Sequence, residues 1–139
     1  MNNAQNDNKK HTLVVIEDDK YLADIYATKL KLEGFNVEIA NDGKAGLLAI
    51  KKLMPDLILL DIMMPVMDGF SVLHAIKTDE SIKDLTVIML TNLNSPEDVK
   101  KGLELGACDY MVKAHFVPAD IVAKVKNILS ISDSLKKEQ

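Results

Sequence analysis

The sequence predicts an α/β fold in which a parallel sheet lies between two layers of helices. Three observations carry the prediction. Short unbroken apolar runs, Leu13-Val14-Val15-Ile16, Leu57-Ile58-Leu59-Leu60 and Val87-Ile88-Met89-Leu90, sit between turn signals, as strands buried on both faces do. Between these runs the apolar residues change to a helical period. Strands that alternate with helices call for a parallel sheet covered on both sides. At 139 residues, 47% of them apolar, the chain suits one domain with one core.

Each element follows from local pattern. Met1 to His11 is polar, rich in Asn and Lys, and is expected to be a flexible leader. The first strand ends in Glu17-Asp18-Asp19. Leu22, Ile25, Tyr26 and Leu30 then recur at helical spacing, with Gly34 as the stop. Asn36 to Ala40 alternates polar and apolar residues, as an edge strand does. Asp42 can cap a helix through Leu53 whose inner face would carry Ala45, Leu48 and Ala49. The strand ending at Asp61 follows, closed off by Pro65 and Gly69, and then a helix from about Phe70 to Lys77. After the strand ending at Thr91, Ser95-Pro96-Glu97-Asp98 is a strong helix start, and that helix should run to about Gly106. Asp109 to Val112 is the last strand, ending at Lys113. Pro118 opens a final helix with Ile121, Val122, Val125, Ile128 and Leu129 on one face; the polar stretch from Ser130 either continues or frays it. Right-handed crossovers at this size favour a flavodoxin-like three-layer sandwich with strand order 2-1-3-4-5. The expected division is a leader over 1–11, the folded domain over 12–131 and a polar tail over 132–139, with no output domain following.

Composition narrows the function. A net charge of −4 argues against broad nucleic-acid binding. The one cysteine, Cys108, cannot form an internal disulfide, which fits a reducing compartment. No apolar run approaches the roughly 18 residues a membrane helix needs, and no secretion signal is evident. A cytoplasmic protein is expected.

The chemistry gathers at the carboxyl ends of the strands, which share one rim in this fold. Glu17 and Asp18, then Asp61, Thr91 and Lys113 stand there. Two like charges about 4 Å apart cost on the order of 4 kcal/mol at an effective dielectric near 20. Such a cluster either holds a proton or gathers a cation, and few hard oxygens with room for water suit Mg²⁺. Lys113 can pair with Asp61 and later with a phosphoryl oxygen, and the Thr91 hydroxyl can donate to the same group. Together they fit phosphoryl transfer to Asp61 as nucleophile.

With those motifs in order, the chain resembles a response-regulator receiver domain of bacterial two-component signalling, of the stand-alone chemotaxis-regulator kind. The matching residues are Val14-Val15-Ile16-Glu17-Asp18-Asp19, Asp61-Ile62-Met63-Met64-Pro65-Val66-Met67-Asp68-Gly69, Thr91, and Gly106 through Lys113. The resemblance spans Thr12 to Ile131. It implies that Asp61 is phosphorylated by the phosphohistidine of a histidine kinase or histidine phosphotransfer protein. It further implies that Asp18, Asp61 and the Met63 backbone carbonyl bind Mg²⁺, with Glu17 acting through water. Thr91 and Lys113 would hold the phosphoryl group, and Tyr110 would rotate inward as Thr91 moves. An effector would then dock on the face of the fourth helix, fifth strand and fifth helix. The chain would catalyse only its own phosphorylation and dephosphorylation. No direct nucleic-acid or membrane contact is expected. Asp109, Asp120 and Lys124 lie where some relatives place charges for a phosphorylation-linked homodimer.

The chain departs from the family pattern in three places. Ala114 replaces the usual proline after the lysine, so the Lys113-Ala114 bond is either trans with a different loop or strained. Asn92 replaces a small residue and narrows access for phosphodonors. Met63 and Leu93 occupy positions that tune hydrolysis, and neither can orient an attacking water, so a long-lived phosphoaspartate is expected.

Simpler readings exist for single residues. Asp68 suits a turn, Met63, Met64 and Met67 suit packing, Cys108 suits a structural role, and His11, His74 and His115 lack metal spacing. An FMN carrier would need a hydroxyl- and glycine-rich loop where Glu17-Asp18-Asp19 stands. A hydrolase of this kind would place an acid where Met63 stands. A pseudo-receiver or phosphorelay intermediate that acts by binding alone is the remaining alternative.

Overall fold

The computed structural model describes residues 10–92 and 96–137. Leu93, Ser95 and the expected leader up to residue 9 lie outside the described residues. The strands are β1 (Thr12–Ile16), β2 (Asn36–Ala40), β3 (Leu57–Asp61), β4 (Thr86–Thr91) and β5 (Asp109–Val112). The helices are α1 (Lys20–Leu32), α2 (Gly43–Leu53), α3 (Gly69–Lys77), α4 (Pro96–Glu104) and α5 (Pro118–Lys137), with a 3-10 turn at Lys113–His115. All five strands run parallel in the order β2-β1-β3-β4-β5, the predicted flavodoxin-like topology.

Side chains alternate across the sheet and divide the core in two. Val14, Ile16, Ile58, Leu60, Val87 and Met89 face α2 and α3, where Ile50, Val72, Leu73 and Ile76 meet them. Leu13, Val15, Leu57, Leu59, Ile88 and Leu90 face α1 and α5, where Tyr26, Leu30, Ile121, Val125 and Leu129 meet them. Every one of these residues is buried, which explains why the central strands read as continuous apolar runs.

Carboxylates start three of the helices. The Asp19 side chain accepts from the amides of Tyr21 and Leu22, Asp42 from Ala45 and Asp68 from Ser71. Asp68, expected as a turn residue, thus caps α3, and Asp19 caps α1.

Two expectations need correction. Leu48 does not face the core; it is 65% exposed. The inner seam of α2 is Gly43, Gly46 and Ile50, and Leu48 lies about 160° round the helix from Ile50. Gly46 sits so close to β1 that a Cβ there would come 2.5 Å from Ile16 Cδ1. Secondly, α4 stops at Glu104, and the chain turns at Gly106 with φ of +111°. The stretch after Ser130 continues α5 to Lys137, with Asp133 paired to His11 at 3.3 Å. Among the described residues no helix is long and apolar enough to cross a membrane.

Candidate functional site

Strand register builds the site. Ile16 pairs with Leu60, so Glu17 and Asp61 are the next residues on two adjacent strands. Asp61 pairs with Leu90, and Thr91 with Val112, so Thr91 and Lys113 stand just above them. By alternation Glu17 and Asp61 point to the α1–α5 side, while Thr91 follows Val87 and Met89 to the other side.

Glu17, Asp61 and Thr91 are each 1% exposed. The Lys113 ammonium reaches into this group from β5. It lies 2.5 Å from Glu17 Oε1 and 3.2 Å from Asp61 Oδ1. Asp18 is exposed, yet ligand oxygens of Glu17, Asp18 and Asp61 come within 4.8 Å of one another. The Met63 amide donates to Asp61 Oδ1 at 3.3 Å, and the Asp19 amide to Glu17 Oε2 at 3.2 Å. The Asn41 side chain donates to the Glu17 carbonyl at 2.9 Å.

Electrostatics follow from this crowding. Burial first, and the neighbouring Glu17 second, push the Asp61 carboxyl up to about 7. Burial pulls the Lys113 ammonium down, but its bond to Glu17 and the charges of Asp61 and Glu17 outweigh it, so its pKa lies above the ordinary lysine value. One ammonium thus offsets three acidic groups only in part. An oxygen-only donor set with surplus negative charge fits a hard divalent cation such as Mg²⁺.

Loop geometry sets the position of Asp61. Gly69 opens α3 against the end of β3, and its amide donates to the Ile62 carbonyl at 2.8 Å. A Cβ at Gly69 would come 2.4 Å from the Asp61 carbonyl oxygen, so only glycine allows this approach. Between them Val66 is fully exposed at φ of +68°, and the Met67 amide donates to the Pro65 carbonyl at 2.7 Å. That is a γ-turn of the uncommon positive-φ form. All peptide bonds described are trans, Lys113-Ala114 included.

The remaining predicted residues are spread around this centre. Met63 is half exposed at the loop surface. Tyr110 is 38% exposed and lines a groove with Pro96, Val99, Lys100, Leu103 and Glu104. It also borders, with Thr91, Val99 and Gly102, a small cavity between β4 and α4. Asp109 pairs with Lys124 at 2.8 Å, and Asp120 accepts from the Val117 amide at 2.9 Å. Cys108 is exposed with a free thiol, not a core residue. Tyr26, buried on α1 in the core layer that Glu17 and Asp61 face, was not among the predicted site residues. Burial pushes its phenol up, the Lys113 ammonium opposes this, and Glu17, Asp61 and Asp19 add to it.

Known proteins share this fold. The sequence profile of the response regulator receiver domain matches residues 13–126. The DNA-binding response regulator MtrA of Mycobacterium bovis is 37% identical over 127 residues, 91% of this chain and 54% of that protein. The DNA-binding dual master transcriptional regulator RpaA of Synechocystis is 36% identical over 123 residues, 88% of this chain and 51% of that protein. The chain therefore spans about half the length of the curated relatives it matches. Among solved structures, a CheY-like response regulator receiver domain protein from Methanospirillum hungatei superposes with a TM-score of 0.81 at 30% identity, covering 94% of this chain and all of that one. Chemotaxis protein CheY4 of Vibrio cholerae gives 0.80 at 28% identity, covering 86% and 98% of the two chains.

Proposed function

The chain belongs to the response regulator receiver family, and on that premise we propose that it is a signalling switch set by phosphorylation of Asp61. The donor is the phosphohistidine of a histidine kinase or histidine phosphotransfer protein. An Asp61 carboxylate oxygen attacks phosphorus as the P–N bond to the donor breaks, and the bonding pair stays on the imidazole nitrogen. The product is an acyl phosphate. Lys113, held between Glu17 and Asp61, faces the oxygens of the arriving group, and the Thr91 hydroxyl donates to one of them. Bound Mg²⁺ would offset negative charge on those oxygens. Asp18, Asp61 and the Met63 carbonyl would hold it, with Glu17 acting through water.

The observation that carries this reading is the buried Asp61 carboxylate at a strand end, 3.2 Å from Lys113 and grouped with Glu17 and Asp18. Asp61, kept near neutral pKa by burial and Glu17, accepts a cation and then a phosphoryl group with relief of like-charge repulsion.

The output rests on the cavity that Thr91 and Tyr110 share. Movement of Thr91 toward the phosphoryl group opens room there, and Tyr110 turns inward to fill it. The groove beside Tyr110 on α4 changes shape, and an effector docks on the face of α4, β5 and α5. The homodimer reading is weakened by the engagement of Asp109 and Asp120 within the chain. Beyond its own phosphorylation and dephosphorylation the chain catalyses nothing, and it works in the cytoplasm beside its phosphodonor. With Met63 unable to orient water, the phosphoaspartate is long-lived.

Incubation with Mg²⁺ and acetyl phosphate, followed by intact mass measurement, tests the proposal. The expected result is a metal-dependent gain of one phosphoryl group that is absent in Asp61→Asn. Failure to gain it both from acetyl phosphate and from a phosphorylated kinase would leave binding alone as the function.

A further inference from the structure

The peptide that joins Glu17 to Asp18 links two of the three acids of the site, and it is held from the neighbouring strand. In the parallel ladder Ile16 pairs with Ala40, and the Glu17 amide donates to the Ala40 carbonyl at 3.0 Å. Continued pairing would bring the Asp42 amide to the Glu17 carbonyl as the next donor. The chain leaves the sheet instead, because β2 ends at Ala40 and Asp42 turns to cap α2. The Asn41 side chain takes over that bond, its Nδ2 donating to the Glu17 carbonyl at 2.9 Å. Chemistry fixes which way the carboxamide faces, since a carbonyl only accepts and the atom opposite it must be the amide nitrogen.

The backbone of Glu17 is thus tied at both ends to consecutive residues, Ala40 and Asn41. The Glu17 carboxylate also has partners of its own, the Lys113 ammonium and the Asp19 amide. Asp18 differs. It is exposed, and among the described residues no ion pair holds its carboxylate. The direction in which its side chain leaves the backbone follows from the plane of the Glu17–Asp18 peptide, which is rigid. Asn41 holds that plane by its carbonyl. Mg²⁺ demands near-ideal octahedral geometry, so a rotated peptide at 17–18 would be felt as lost affinity.

We propose that Asn41 is a positioning residue of the acidic site: by holding the Glu17 carbonyl it aims the Asp18 carboxylate at the cation and so sets the affinity for Mg²⁺. That role rests on the reading of Glu17, Asp18 and Asp61 as a Mg²⁺ site given above. Asn41 acts only through the backbone. It stands partly buried where the edge strand ends, outside both core layers, so its loss leaves the packing of the sheet in place.

Asn41→Ala removes the donor. Asp42→Ala is the control: it takes the cap from α2 and loosens the same turn, but leaves the Glu17 carbonyl bonded. Calorimetric titration of the metal-free proteins with Mg²⁺ should show about fivefold weaker binding in Asn41→Ala, the worth of one hydrogen bond. Asp42→Ala should bind within about twofold of wild type, because the charge it removes is exposed and screened. In metal-free protein the carbon-13 resonance of the Glu17 carbonyl should move in Asn41→Ala and stay in place in Asp42→Ala. Unchanged affinity in Asn41→Ala, or an equal loss in both variants, would overturn the proposal. Phosphorylation by acetyl phosphate should need about fivefold more Mg²⁺ for half its maximal rate in Asn41→Ala, with the rate at saturating Mg²⁺ retained. A lower saturating rate with an unchanged Mg²⁺ requirement would overturn the role in metal binding. If wild type itself binds no Mg²⁺, the reading of the acidic site fails; if wild type binds it and Asn41→Ala binds it equally well, only the role of Asn41 fails.

Discussion

Among the described residues Lys113 is the only countercharge in contact with the two buried acids Glu17 and Asp61. Lys113→Met would leave Glu17 and Asp61 side by side in the core without it. Removing one partner from a buried ion pair costs about 3 kcal/mol, and urea unfolding in chelator should show a loss of that order. Saturating Mg²⁺ should recover part of it; no recovery would argue against a cation among the acids. Val66 offers an opposite case. A β-branched residue at positive φ stores strain, and its side chain touches nothing that would offset it. Val66→Gly should raise stability by about 1 kcal/mol with an unchanged urea dependence. The site residues at strand ends were legible because a polar residue that closes an apolar run is conspicuous. Asn41 was not, because β2 already alternates polar and apolar residues, and one more polar residue at its end does not stand out.

Elements meet the site through close approaches that the sequence only hinted at. Gly69 was readable as a turn residue, but its contact with the Asp61 carbonyl needs coordinates. Gly69→Ala should destabilise the protein by about 2 kcal/mol, as overpacking does, and should slow phosphorylation because β3 and α3 must part to admit the methyl. Wild-type stability and rate would show that the loop yields instead. The outward turn of Leu48 was unreadable for a related reason. Leucine alone cannot reveal that two glycines form the tight seam of α2. Another contact ties α2 to the turn after α3. The Asp79 carboxylate accepts from the Ser81 hydroxyl and amide and pairs with Lys51 at 3.1 Å, and these hold its pKa down at about 2. A carboxyl whose folded pKa lies below its unfolded value contributes stability that is present above about pH 4 and lost as pH falls through about 2. The difference in thermal midpoint between wild type and Asp79→Asn should therefore narrow as the pH is lowered from 4 toward 2. A constant difference would mean that the charge contributes nothing.

At the scale of the whole molecule, one parallel register brings residues far apart in the sequence to a single point. Glu17 and Lys113 meet at 2.5 Å because β1 and β5 end on the same rim. The topology was legible because three central strands are buried on both faces and so appear as unbroken apolar runs. The reach of α5 to Lys137 was not, since its polar last turns carry no inward stripe, although no glycine or proline interrupts them. The two core layers give the switch its geometry. Asp61 opens toward α1 and α5, Thr91 toward α4, and a phosphoryl group on the rim touches both sides at once.

The most direct test maps the modified residue. After incubation with Mg²⁺ and a phosphodonor, borohydride reduction converts an aspartyl phosphate to an alcohol that tandem mass spectrometry locates. The reduced side chain is expected at position 61, and none in chelator. A reduced or phosphorylated residue elsewhere, with Asp61 intact, would contradict it.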